Sequence, residues 1–185
     1  MRIVGGKWRG RSLKGPTTQD IRPTSDRLRE SLFNILAHGY GDPVAGARVM
    51  DVFAGTGALA LEALSRGAKF ALLVDDGAQA RALIRENVEA LGAGGQTRIF
   101  RRDARKLAEA PSGEIFSLVF LDPPYGKGLA EPVLRVLGNG HWLAPGALLV
   151  VEEAANVKLD VPAGFQLAEC REFGETALWF LKAGP

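Results

Sequence analysis

The strongest constraint on this chain is an alternation, from residue 48 to residue 151, of short apolar runs with stretches of helical periodicity. Arg48 to Val52, Phe70 to Val74, Thr97 to Phe100, Ile115 to Leu121 and Ala147 to Val151 read as strands. The stretches between them, Gly57 to Ser65, Ala78 to Leu91, Ala104 to Ala110 and Leu129 to Leu137, read as helices. Strands that are apolar along their whole length must be covered on both faces. Helices between successive strands provide the crossovers that parallel pairing requires. The pattern therefore predicts an α/β domain with a parallel sheet between helical layers. It breaks at the end, where Phe165 to Glu172 and Thr176 to Leu181 are separated only by Phe173-Gly174-Glu175, which predicts a terminal antiparallel hairpin.

Before this domain, Met1 to Val4 and Arg11 to Lys14 are strand-like pieces around Gly5-Gly6 and Gly10, and suggest a small hairpin. Thr24 is placed to cap a helix with Leu28, Leu32, Ile35 and Leu36 on one face, ended by Gly39. Residues 1 to 30 hold eight Lys and Arg against three Asp and Glu, although the whole chain carries only +2. We divide the chain into a basic N-terminal appendage, residues 1–45, and a main domain, residues 46–185. A basic segment ahead of a mildly acidic body fits a polyanion-binding face, and fits a solvated surface equally.

With 185 residues and 46% hydrophobic content, the chain can build one sizeable core. Its single cysteine, Cys170, excludes an internal disulfide and is expected in the core or in a strand. No Cys or His cluster has zinc-ligand spacing, and no apolar run reaches the length of a membrane span. The expectation is a soluble, cytoplasmic, monomeric protein without a metal. His38 and His141 are expected at a helix end and on the surface, without chemistry.

A ligand site is expected where Asp51-Val52-Phe53-Ala54-Gly55-Thr56-Gly57 ends the first parallel strand and opens a helix. Open α/β sheets bind ligands at that edge. The glycines let a ligand approach the backbone, and the free N–H groups of the helix start can hold an anionic group. Gly55-x-Gly57-x-x-Ala60 alone also fits a dinucleotide fingerprint, so an NAD-dependent oxidoreductase stays in view. Asp51 would repel a pyrophosphate, whereas the ammonium group of a methionyl cofactor would gain from it. Asp75, or its neighbour Asp76, is placed for ribose hydroxyls, and Asp103 with the Ala104 N–H for an adenine ring.

The most specific segment is Asp122-Pro123-Pro124-Tyr125, directly after the fourth parallel strand. Two prolines stiffen the loop. An exocyclic base amine is a poor nucleophile because its lone pair is delocalised. The Asp122 carboxylate and the Pro123 carbonyl can each accept one of its N–H groups and stabilise the charge that develops on nitrogen. Tyr125 can stack on a base removed from its helix or loop.

These residues resemble the N6-adenine and N2-guanine amino-methyltransferases, which share an Asp/Asn-Pro-Pro-Tyr/Phe motif and a seven-stranded sheet ending in an antiparallel hairpin. The segments Met1-Arg2-Ile3-Val4-Gly5-Gly6-Lys7-Trp8-Arg9-Gly10-Arg11 and Arg22-Pro23-Thr24-Ser25-Asp26-Arg27-Leu28-Arg29-Glu30 narrow the resemblance to the RsmD family of 16S rRNA guanine-N2 methyltransferases. It runs on through Glu62-Ala63-Leu64-Ser65-Arg66-Gly67-Ala68 to Asp122 and covers most of the chain.

The resemblance implies a Rossmann-like class I methyltransferase that uses S-adenosyl-L-methionine to methylate the two-amino group of the guanine at position 966 of 16S rRNA in a small-subunit ribosomal particle. Asp122, Pro123, Pro124 and Tyr125 would be catalytic. Asp51, Phe53, Ala54, Gly55, Thr56, Gly57, Asp75, Asp103 and Ala104 would bind the cofactor. Arg2, Lys7, Trp8, Arg9, Arg11, Arg22 and Arg27 would meet RNA, whereas Arg29 either joins them or pairs with Asp26 or Glu30. Asp75 departs from the Glu that many members carry for the ribose. An N6-adenine methyltransferase of RNA or DNA is the alternative within the class.

Overall fold

Each apolar run of the alternating region becomes a strand of one seven-stranded sheet, ordered β3-β2-β1-β4-β5-β7-β6. The computed structural model describes residues 1–17 and 24–185. The strands are β1 (Arg48–Val52), β2 (Phe70–Val74), β3 (Thr97–Phe100), β4 (Phe116–Leu121), β5 (Leu143–Ala154), β6 (Phe165–Phe173) and β7 (Thr176–Ala183). The first five are parallel, and β7 and β6 close the sheet antiparallel as the expected hairpin. The helices are α1 (Asp26–Gly39), α2 (Ala58–Ser65), α3 (Ala78–Ala90) and α4 (Ala130–Asn139).

Alternate strand residues feed two cores. Val49, Leu73, Leu118, Phe120, Leu148 and Val150 pack with residues of α1, α2 and α3. Met50, Val52, Leu72, Val119, Leu121 and Leu149 pack on the other face with residues of α4 and Trp142. That two-residue alternation is why the strands are apolar throughout. The chain runs outward from β1 to β3 and then returns to β4 on the other side of β1. Such a reversal opens a crevice beyond the carboxyl ends of β1 and β4.

Four expectations change in detail. The stretch Ala104 to Ala110 forms only a 3-10 turn, Ala104–Lys106. Pro111 disfavours helix at Ala110, whose N–H instead meets the Gly140 carbonyl at 2.7 Å, while the Trp142 indole N–H takes the Ala108 carbonyl at 3.0 Å. β5 extends back to Leu143, because its irregular start, with Pro145 and a left-handed Gly146 (φ 70°), still pairs Leu143 with Phe116. The N-terminal hairpin reduces to one antiparallel bridge, Arg2 to Ser12, around a 3-10 turn Gly6–Trp8. At Gly6 (φ 77°) a Cβ would lie 2.0 Å from the Ser65 carbonyl oxygen, so α2 dictates that turn. Finally, α1 is capped by Ser25, whose hydroxyl accepts the Leu28 N–H at 3.1 Å, and not by Thr24. Cys170 lies in a strand, β6, and is exposed.

The N-terminal residues share the main core, through Ile3, Leu13, Leu32, Phe33 and Leu36. Arg29 fastens them. Its side chain is wholly buried and donates to Glu62 Oε1 (3.3 Å), Asp26 Oδ1 (2.9 Å), and the carbonyls of Thr24 (3.3 Å) and Arg2. Glu62, equally buried on α2, also accepts the N–H groups of Val4 and Gly5 and the Arg66 guanidinium, each at 2.9 Å. Arg29 therefore has no surface to offer RNA, and of its two expected partners it takes Asp26. No helix among the described residues is long and apolar enough to cross a membrane.

Candidate active site

A cleft of about 620 Å³ opens above the ends of β1, β2 and β4, lined by Asp51, Phe53 to Thr56, Asp75, Asp76, Asp103 and Asp122 to Tyr125 among others. Its floor is the turn after β1. Gly55 (φ 61°) and Gly57 (φ 80°) are left-handed, and a Cβ on Gly57 would meet Leu73 Cδ2 at 3.0 Å. Phe53 also holds a left-handed φ of 60°, which costs a bulky residue energy and turns the backbone sharply out of the strand. Gly57 lies in this turn without lining the cleft, and Ala104 does not line it either, being buried.

Asp51 is almost fully buried. Its Oδ2 accepts the Ala60 N–H at 3.1 Å and so caps α2, while its Oδ1 is buried with no hydrogen-bond partner. Burial pushes this carboxyl well above its usual range, and the Asp75 charge adds to the shift. A buried acceptor left without a donor is rare and marks a place for a ligand donor, here suited to an ammonium group. The donor set thus fits the amino-acid end of S-adenosylmethionine. Asp75 accepts the N–H groups of Gly55 (3.0 Å, Oδ2) and Gly77 (2.9 Å, Oδ1), which fixes it facing the cleft with lone pairs to spare for two hydroxyls. Burial raises its carboxyl as well. Asp76 also lines the cleft but is exposed.

Asp103 lines the cleft with its carboxylate tied to Arg105 at 2.8 Å, a pairing that lowers its carboxyl below the usual range. On the far wall the loop after β4 starts with the Asp122 N–H bonded to the Val52 carbonyl at 3.2 Å. Asp122 is half-buried, Pro123 buried and Pro124 exposed. Burial first, and the Glu152 carboxyl beside it second, raise Asp122 well above the usual carboxylate range. The Tyr125 hydroxyl donates to Glu152 Oε2 and lies 3.0 Å from Thr176 Oγ1. Burial and that bond raise its phenol too. The Gly126 N–H donates to Glu153 Oε1 at 2.9 Å, pinning the loop to β5.

Sequence reasoning missed Glu152, Thr24 and Thr176. Glu152-Glu153 end the fifth parallel strand at the same edge as Asp51, Asp75 and Asp122, so the strand-end rule applied to β5 would have found them. Thr24, freed from capping, lies 3.2 Å from both Asp122 Oδ2 and Glu152 Oε1.

The basic residues have different surroundings. Arg2 is exposed, its N–H on Asp26, and Arg27 is exposed at the start of α1. Trp8 and Arg11 meet the ends of α2 and α3. Trp8 N–H bonds Ser65 Oγ at the end of α2 (3.0 Å), Lys7 lies over the Trp8 ring and Arg11 donates to the Ala90 carbonyl at the end of α3 (2.7 Å). Arg9 is exposed, and Arg22 lies outside the described residues.

The family model described as Conserved hypothetical protein 95 matches residues 1–182. The chain is 42% identical, over 96% of its length and 87% of the relative's, to Ribosomal RNA small subunit methyltransferase D of Escherichia coli strain K12. A solved structure of the Escherichia coli protein yhhF superposes with a TM-score of 0.85 and 36% identity, covering 100% of this chain and 98% of that one. An RNA methyltransferase of Salinibacter ruber, solved with S-adenosyl-L-homocysteine, shares the fold at TM-score 0.66 and 13% identity, over 88% of this chain and 94% of its own.

Proposed function

Because the chain belongs to the Conserved hypothetical protein 95 family, the RsmD family of the resemblance, we propose that it methylates the exocyclic N2 of a guanine in 16S rRNA, the guanine at position 966 in a small-subunit particle. It is a methyltransferase of ribosomal RNA with the class I fold, and its methyl donor is S-adenosylmethionine. The observation that carries the reading is one cleft holding the partnerless Asp51 Oδ1 on one wall and the Asp122 carboxyl on the other.

S-adenosylmethionine supplies a methyl group on a positively charged sulfur, which departs readily. The residues do the rest. Asp51 Oδ1 takes the ammonium group, Asp75 the ribose hydroxyls, and Asp103 with the Ala104 N–H the adenine edge. The turn Phe53-Ala54-Gly55-Thr56-Gly57 brings backbone N–H groups against the carboxylate. Asp122 and the Pro123 carbonyl hold the two N–H groups of the target amine, Pro124 keeps the loop rigid, and Tyr125, its hydroxyl anchored, offers its ring to the flipped base. The gain comes chiefly from orientation and from stabilising charge on nitrogen.

Residues 1–45 serve as the RNA-binding part, with Arg2, Lys7, Trp8, Arg9, Arg11, Arg22 and Arg27 towards the polyanion, on a monomer working in the cytoplasm. Labelled S-adenosylmethionine and unmodified small-subunit particles test the reading, followed by mapping of the labelled nucleotide. Label on guanine N2 supports it. Label on adenine would establish the N6-adenine alternative, and binding of NAD in place of S-adenosylhomocysteine would establish an oxidoreductase.

A further inference from the structure

Behind the catalytic loop, Asp122 does not stand alone. Leu121 of β4 pairs with Val151 of β5, so Glu152 follows in register beside Asp122, and the Thr24 hydroxyl joins the two carboxyls. Glu152 is nearly buried on β5, opposite Leu178 of β7. One Thr24 hydroxyl stands 3.2 Å from an oxygen of each acid; it can donate to only one, and the other contact is a hydrogen bond when that carboxyl carries the proton. The Tyr125 hydroxyl donates to the other Glu152 oxygen and is itself backed by Thr176. Two further acids lie nearby among the described residues. Asp51 acts on Asp122 from β1, and Glu153 is occupied by the N–H groups of Gly126 and Ala154. Among the described residues, the groups acting on Asp122 are Glu152, Asp51 and Thr24. Burial and the neighbouring Glu152 carboxyl both favour the protonated form of Asp122.

We propose that Glu152 is the positioning residue for Asp122, holding one proton between the two carboxyls so that the pair meets the target amine with a single negative charge and takes up the proton that the amine releases. The inference rests on the amine-methylation reading above. The target nitrogen uses its lone pair to form the N–C bond, and the C–S bonding pair stays on sulfur, which becomes a neutral thioether. Nitrogen, now positively charged, gives one proton to the pair. The pair passes from one proton and charge −1 to two protons and no charge, and returns the proton to water when product leaves. Thr24 and Tyr125 fix both acids during this exchange. The pair thus gives Asp122 a proton capacity that a solitary, fully ionised carboxylate beside Asp51 would reach only with greater repulsion.

The test is single-turnover methyl transfer to unmodified small-subunit particles by the wild type, Glu152→Gln and Glu152→Asp, across pH. Glu152→Gln keeps shape but cannot share or store the proton. Its maximal rate should fall about 100-fold, while the RNA KM and the affinity for S-adenosylhomocysteine stay near wild type. The wild-type pH inflection that marks loss of the shared proton should vanish in that variant, and Glu152→Asp should restore part of the rate. Near-wild-type turnover by Glu152→Gln, or an unchanged inflection, overturns the proposal. Carboxyl ¹³C NMR of the wild type gives a reading that needs no variant. One proton retained by the pair at neutral pH supports the proposal, and two fully ionised carboxylates overturn it. Absence of transfer by the wild type would instead overturn the functional reading itself.

Discussion

Asp51→Asn isolates the charge of the cofactor site from its architecture. The amide oxygen can keep the Ala60 N–H that Asp51 Oδ2 now holds at 3.1 Å, so α2 stays capped. The other end changes from a partnerless acceptor into a donor facing the ammonium group. Loss of one charge-assisted hydrogen bond, about 1.5–3 kcal/mol, corresponds to a Kd for S-adenosylhomocysteine raised about 10- to 150-fold. Methylthioadenosine lacks the amino-acid moiety, so its affinity should not change. Isothermal calorimetry with both ligands reads the difference. The pH dependence follows from the direction of the shift. Burial holds the free Asp51 carboxyl above its usual range, and the ammonium favours its ionised form. Binding below that raised value therefore expels a proton. Affinity should rise with pH towards it and level off above it, and the variant should lose this dependence. The same shift means that ionised Asp51 burdens the ligand-free fold once pH exceeds the unfolded carboxyl's value. At neutral pH the variant should accordingly melt no lower than wild type. Equal loss of both ligands, or none of either, would refute the assignment.

Asp122→Ala should abolish methyl transfer while leaving S-adenosylhomocysteine affinity nearly unchanged, as measured by single turnover and calorimetry; residual near-wild-type turnover counts against its role. Arg29→Ala should cost about 3–5 kcal/mol in urea unfolding, because it removes one of the two guanidinium partners of buried Glu62 and the donor to the Thr24 and Arg2 carbonyls. Replacing Arg9 and Arg11 by Ala should weaken RNA binding and flatten its logarithmic salt dependence by about one unit per residue. An unchanged slope would remove both from the RNA face.

The sheet was legible because its central strands are buried on both faces and so carry unbroken apolar runs. The glycine turn and Asp122 that line the cleft were legible because strand ends, glycines and paired prolines leave local signatures. What escaped depends on distant partners. Ala104 to Ala110 has helical spacing, yet Trp142 and Gly140 take its backbone groups. Thr24 has cap chemistry, but adjacent Ser25 takes the cap and releases Thr24 to the acids of β4 and β5. Arg29 sits in a basic stretch and still ends buried, since Glu62 lies across from it only once α1 has docked. Glu152 reads as one of two ordinary acids at a strand end until the sheet order sets it beside Asp122.

The placement of Arg11 acts as a ruler. α3 has 13 residues, about 20 Å, from its cleft end to Ala90, where Arg11 is moored. A polymer that enters the cleft at the start of α3 and follows that helix to Arg11 would bridge that length, several nucleotides when extended. A free nucleoside or a very short oligonucleotide can fill only the cleft end, so turnover should climb with substrate size until the far anchorage is engaged.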